Sequence, residues 1–149
     1  MPGAAGNPEV VRTAIEQVCA RGDMQLAPSC YAEEFVDHVG RLEYRGLDGV
    51  ERSTSLYRAL IDDLAFEVLD QVAEGDRVAT RFAVTGANRG RRLRLEGITL
   101  SHLRDGRIVE DWSAFDSLEL LRQLGLRRTL LGALRMLRAL RAAQLSGVS

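Results

Sequence analysis

Apolar positions recur at helical spacing over the first sixty or so residues, then at a period of two. Asn7-Pro8 reads as a helix start, with Asn7 as N-cap and Pro8 in the first turn. Val10, Val11, Ala14, Ile15 and Val18 form one stripe, and Gly22 ends the helix. A short second helix is predicted over 24–30, limited by Pro28. Residues 31–39 are mixed, with apolar Tyr31, Phe35 and Val36 followed by Asp37-His38. Gly46-Leu47-Asp48-Gly49 is a turn in which Asp48 can cap a third helix running to about Leu64. Val50, Leu56, Tyr57, Leu60 and Ile61 would form its buried side.

The alternating half predicts strands over 66–73, 78–85, 93–103 and 108–116. Glu74-Gly75-Asp76, 88–90 and Asp105-Gly106 separate them, the last being the strongest hairpin signal. Helices followed by an antiparallel meander argue an α+β fold, with helices on one face of a curved sheet. No internal repeat or linker interrupts 8–125. The expectation is a single domain over 1–149, its core at about 8–125.

Strand parity assigns faces. Ile98, Leu100 and His102 share one face of the third strand, and Val78, Thr80, Phe82 and Val84 one face of the second. Ile108, Glu110, Trp112, Ala114 and Asp116 share a face of the fourth. The apolar members predict that these faces look inward and carry His102, Glu110 and Asp116 with them. A carboxylate on an apolar face costs several kcal/mol unless paired or neutralised, so a pocket holding water or ligand is one explanation. A second is that Asp116 caps a helix beginning at Ser117. For His102 the alternative is a hydrogen-bonded structural histidine, for Trp112 core packing, and for Glu110 an outward position at the sheet margin. A turn centred on Asp105-Gly106 sets Asp116 near Leu95 and His102 near Val109, so the two are not cross-strand neighbours.

Composition narrows the class. The 149 residues are 46% hydrophobic and 28% charged, with a formal net charge of −1, which fits a globular protein with a sizeable core and gives no electrostatic case for nucleic acid. Cys19 and Cys30 form no C-x-x-C pair; thiols in a reducing compartment fit better than a disulfide. The first seven residues do not read as a secretory signal, and no stretch nears the roughly 20 apolar residues of a membrane span, so a cytoplasmic location is expected.

The run from Gly97 to Trp112 (GITLSHLRDGRIVEDW), with Asp116 and then Leu120-Leu121-Arg122-Gln123-Leu124-Gly125, resembles the SnoaL-like polyketide cyclase (ester cyclase) family of the NTF2-like superfamily. Tyr31-x-x-x-Phe35-x-x-His38, Gly46-x-x-Gly49 and Asp63-Leu64 agree with it. The resemblance covers about 8–125 and implies a cone in which a curved antiparallel sheet wraps against three N-terminal helices. It also implies a homodimer and a small hydrophobic ligand or substrate. In such cyclases a pocket aspartate after the tryptophan strand acts as acid/base, helped by a histidine on the preceding strand; Asp116 and His102 match that pattern. The implied chemistry is intramolecular aldol ring closure without metal or cofactor, with Trp112, Phe82, Phe35, Tyr57, His38 and Tyr31 shaping the pocket. Epoxide opening on the same fold, and a non-catalytic ligand-binding or dimerisation module, are the alternatives. Arg81, whose parity points it away from the pocket, weighs against the former.

From Leu120 to Ser149, arginines at 122, 127, 128, 135, 138 and 141 alternate with leucines and no acid follows Leu120, which predicts a basic amphipathic helix over 126–149. Packing on its own domain or across a dimer is the ordinary role; peripheral membrane contact is the sharper one.

Overall fold

Helix α1 (Asn7–Thr13) carries Pro8 in its first turn, where a missing N–H costs nothing. Its N-cap is Gly6 rather than Asn7, whose side-chain amide donates to the Gly75 carbonyl at 3.4 Å. The helix continues as a π-helical stretch, Ala14–Cys19, and the predicted stripe is buried at Val11, Ala14, Ile15 and Val18. A single turn, α2 (Ala27–Cys30), leads into strand β1 (Tyr31–Val39), which pairs with β2 (Leu42–Arg45). Helix α3 (Gly46–Leu60) begins before Asp48, which stands in the first turn instead of capping it. Its buried face is Gly49, Val50, Ser53 and Thr54; of the predicted side Val50 and Ile61 are buried, Leu56 and Tyr57 half-buried and Leu60 exposed, and Ile61 is already extended.

Four strands follow as the meander expected from the pattern: β3 (Asp62–Glu74), β4 (Arg77–Asn88), β5 (Arg91–Arg104) and β6 (Arg107–Phe115). At the β5–β6 hairpin Asp105 and Gly106 both have positive φ, 53° and 74°, the conformation a tight two-residue turn requires. The sheet has six strands, in the order β2-β1-β6-β5-β4-β3. The pattern of period two does not reveal β1 and β2, and β1 lies parallel to β6 while all other neighbours are antiparallel.

The computed structural model describes residues 6–124, 134–135 and 137–138. The chain divides into a compact unit ending at Asp116 and a second segment from Ser117, which opens with α4 (Ser117–Leu124). Of the basic helix expected over 126–149, residues 134–135 and 137–138 are helical; the remainder, and the membrane contact it suggested, lie outside the described residues. Among the described residues no helix is long and apolar enough to cross a membrane.

Candidate active site

One strand irregularity, together with the regular alternation of β5, decides which side chains face the helices. In β6, His102 pairs with Glu110 but Leu103 pairs with Ile108, so Val109 is an extra residue in a β-bulge. Ile108 and Val109 are both buried, and the alternation beyond them is inverted: Asp111, Ser113 and Phe115 turn inward, Glu110, Trp112 and Ala114 outward. In β5 the buried residues are Leu93, Leu95, Gly97, Thr99, Ser101 and Leu103. The faces predicted for Ile98, Leu100 and His102, and for Glu110, Trp112 and Asp116, are therefore reversed. Those predicted for Val78, Thr80, Phe82 and Val84 stand.

The inward side chains enclose a cavity of about 60 Å³ between the sheet, the π-helical stretch and α3. Phe82 lies edge-on to Phe115 at 5.5 Å and beside Phe66 at 5.6 Å, Tyr57 stands 5.9 Å from Phe115, and Tyr31 packs on Phe35 at 4.6 Å. These six rings all line the cavity. Gly97 leaves room for them: a Cβ there would sit 2.9 Å from Phe82 Cζ and 3.1 Å from Phe115 Cδ1. Of the six residues expected to shape a pocket, Tyr31, Phe35, Tyr57 and Phe82 line this cavity.

The polar lining differs from the expected one. Asp37 from β1 and Asp111 from β6 are paired in register on adjacent parallel strands, and both line the cavity. Burial pushes Asp111 up to about 7; the Ser101 hydroxyl opposite works against this, and the negative charge of Asp37 adds to it. Burial raises Asp37 to about 6, opposed by His38. Asp111 Oδ1 and Ser101 Oγ are sealed from solvent and reach no hydrogen-bond partner beyond each other. No lysine, arginine or histidine is among the described lining residues, so no side-chain cation there offsets the two carboxyls.

The remaining polar groups are neutral donors. The Tyr57 phenol is raised above its ordinary value by burial and stays protonated. The Cys19 thiol is pushed up to about 12 by burial and lies 3.5 Å from the Tyr31 hydroxyl, so it is no thiolate nucleophile. Ser113 donates to Thr99 across β5–β6 at 3.1 Å. On α3, Ser53 and Thr54 spend their hydroxyl protons on Val50 and Glu51 carbonyls.

The other sequence candidates stand elsewhere. His102 Nε2 lies 3.0 Å from Asp76 Oδ2 in the β3–β4 turn, the structural role weighed against the catalytic one. Asp116 is exposed, one residue past β6, and is not among the cavity residues. His38 and Trp112 stack on each other at 5.3 Å on the outer face. Arg81 points outward as expected, onto Asp70 and Glu96. The inward parity of Thr99 and Ser101 was legible from Leu93, Leu95 and Leu103, but Asp111 was not, because the bulge at Val109 sets its face. Asp37 carried no signal beyond its place beside apolar Val36.

A curved sheet closed by helices over an aromatic cavity with one buried and one half-buried carboxyl defines an α+β protein of the NTF2-like type. The sequence matches the SnoaL-like polyketide cyclase model over residues 9–124, and the chain belongs to that family. Solved structures agree. IdmH from Streptomyces antibioticus, a candidate polyketide cyclase, is 26% identical with a TM-score of 0.71, covering 80% of this chain and 98% of that one. A candidate polyketide cyclase from Bacillus cereus is 28% identical with a TM-score of 0.68, covering 80% and 78%. AclR from Streptomyces galilaeus, a candidate hydroxylase, shares the fold at 24% identity and a TM-score of 0.70, covering 82% and 97%. No curated protein matches the sequence.

Proposed function

We propose that this chain is an acid–base enzyme that needs no cofactor and closes rings in small, hydrophobic, carbonyl-bearing molecules by intramolecular aldol chemistry. The observation that carries this reading is the Asp37–Asp111 pair in an aromatic cavity without a lining cation. Two neighbouring carboxyls in an apolar site hold one proton between them, so one serves as base and the other as acid. The base removes a proton from a carbon flanked by carbonyls. The enolate carbon then bonds to a second carbonyl carbon of the same molecule, and the resulting alkoxide takes the proton of the acid. The Tyr57 hydroxyl is a donor for the developing oxyanion. The catalytic pair is thus assigned to Asp37 and Asp111 in place of Asp116 and His102. At about 60 Å³ the cavity takes a few atoms, against the several hundred Å³ of a typical ligand pocket. It encloses the reacting carbons, not a polycyclic skeleton.

The test is exchange of the acidic C–H of a β-dicarbonyl probe in heavy water, followed by NMR. Asp111→Asn and Asp37→Asn should each slow exchange by about 100-fold or more. Undiminished exchange in both variants removes the pair from catalysis, and binding without exchange in the wild type favours a ligand-binding module. The same two carboxyls also suit epoxide opening, one protonating the oxygen and one activating water. Incorporation of heavy-oxygen water into a diol product would favour that reading.

The reading includes a homodimer. Ile98, Leu100 and Trp112 stand 54%, 37% and 38% exposed on the outer sheet face, which supports pairing with a second copy there.

A further inference from the structure

Directly behind the two cavity carboxyls, on the outer face of the sheet, the same two strands are tied by side chains. His38 follows Asp37 on β1, and Glu110 precedes Asp111 on β6. His38 Nε2 meets Glu110 Oε1 at 2.8 Å, and the imidazole stacks on Trp112 at 5.3 Å with planes 12° apart. His38 and Trp112 are paired in register, as are Asp37 and Asp111. The other charged groups facing the imidazole side are Glu43 on β2, 3.5 Å from Nδ1, and Arg45, bonded to Glu43 at 2.8 Å.

The β1–β6 joint needs such a tie. It is the one parallel pairing among the described strands, and parallel pairs are slightly weaker per residue. Its register is irregular between Tyr31 and Val36. A slip by one residue would turn Asp37 out of the cavity and His38 in. The contacts of His38 with Glu110 and Trp112 are made in one register, the register that places both carboxyls inside.

We propose that His38 and Glu110 are positioning residues: their cross-strand hydrogen bond, backed by the Trp112 stack, locks β1 against β6 and so sets the approach of Asp37 to Asp111. The proposal rests on the reading of those carboxyls as the reactive pair, but its test needs no substrate. Carboxyl carbon NMR follows the titration of Asp37 and Asp111 in the full chain. In Glu110→Ala the Asp111 midpoint should fall by about one pH unit, a tenfold loss of proton affinity. Glu110→Gln, which keeps an acceptor for His38, should restore it. Glu43→Ala removes a charge near the same imidazole without cutting the tie to β6, and should leave the midpoint in place. An unchanged midpoint in Glu110→Ala overturns the proposal, as does an equal shift in Glu43→Ala, which would mark a charge effect. If Glu110→Ala does not fold, His38→Phe keeps the stack and loses the hydrogen bond, and its midpoint decides in the same way. Loss of the carboxyls' catalytic role in the exchange assay would be a separate result, since these midpoints are read without turnover.

Discussion

A carboxyl whose folded-state value stands at about 7, above its ordinary 3.8, binds its proton more tightly in the folded chain than in the unfolded one. Its contribution is therefore fully present below about pH 4 and is lost as the pH rises through about 7. Asp37, at about 6, works in the same direction over the lower part of that window. Asp111→Asn replaces the group with a neutral isostere. Its melting temperature, followed by circular dichroism, should depend less on pH between about 4 and 7 than the wild type's. At about pH 8 the variant should be the more stable by about 1–3 kcal/mol, at roughly 2–4 °C per kcal/mol for a chain of this size. For activity, a pair that must hold one proton predicts a narrow bell, rising near 6 and falling above 7, in the rate of C–H exchange. At this scale Tyr31, Phe35, Tyr57 and Phe82 were legible in the sequence as inward rings, whereas Trp112, expected among them, stands on the outer face beyond the bulge. The carboxyls were not, because an aspartate reads the same on either face until the face is known.

Among the elements, β6 explains the difference between expectation and structure. One extra residue at Val109 inverts every side chain beyond it, and nothing in the alternation of Ile108 to Phe115 announces the bulge. In β5 the two large apolar residues between Leu95 and Leu103, Ile98 and Leu100, face outward, while Thr99 and Ser101 face the cavity and the buried carboxyl. A period-two reading that follows hydrophobicity selects the wrong face where a pocket needs polar groups and an outer face carries apolar ones. Gly97 offers a test at this level. Its added methyl in Gly97→Ala would press on Phe82 Cζ at 2.9 Å and on the Ala114 carbonyl oxygen at 3.0 Å. Chemical denaturation should show a loss of about 1–3 kcal/mol. The Phe82 and Phe115 ring resonances should shift, since those rings must move to admit the methyl.

At the level of the whole molecule, the outer sheet face is where the proposed dimer would form. Ile98→Arg places a charge on its most exposed member in β5 without touching the cavity lining. Sedimentation equilibrium should find the wild type dimeric and the variant monomeric at micromolar concentration; a monomeric wild type removes the dimer. The sequence by itself did not determine the β1–β2 hairpin that stands before α3, but it determined the α+β class, the four-stranded meander and its turns. These follow from local periodicity and from residues such as Asp105-Gly106 whose backbone preferences act over a few positions. The resemblance carried by 97–125 was legible for the same reason, because it lies in one continuous segment. Only the tertiary structure decided the six-stranded order, the parallel docking of β1 on β6 and the bulge that turned Asp111 inward. The parallel docking depends on pairing between segments more than 70 positions apart, such as His38 with Glu110, and the bulge on a local register shift that periodicity does not encode. The location of the site followed from that pairing: two aspartates in different segments share one cavity because their strands are neighbours, and burial there raises both carboxyls.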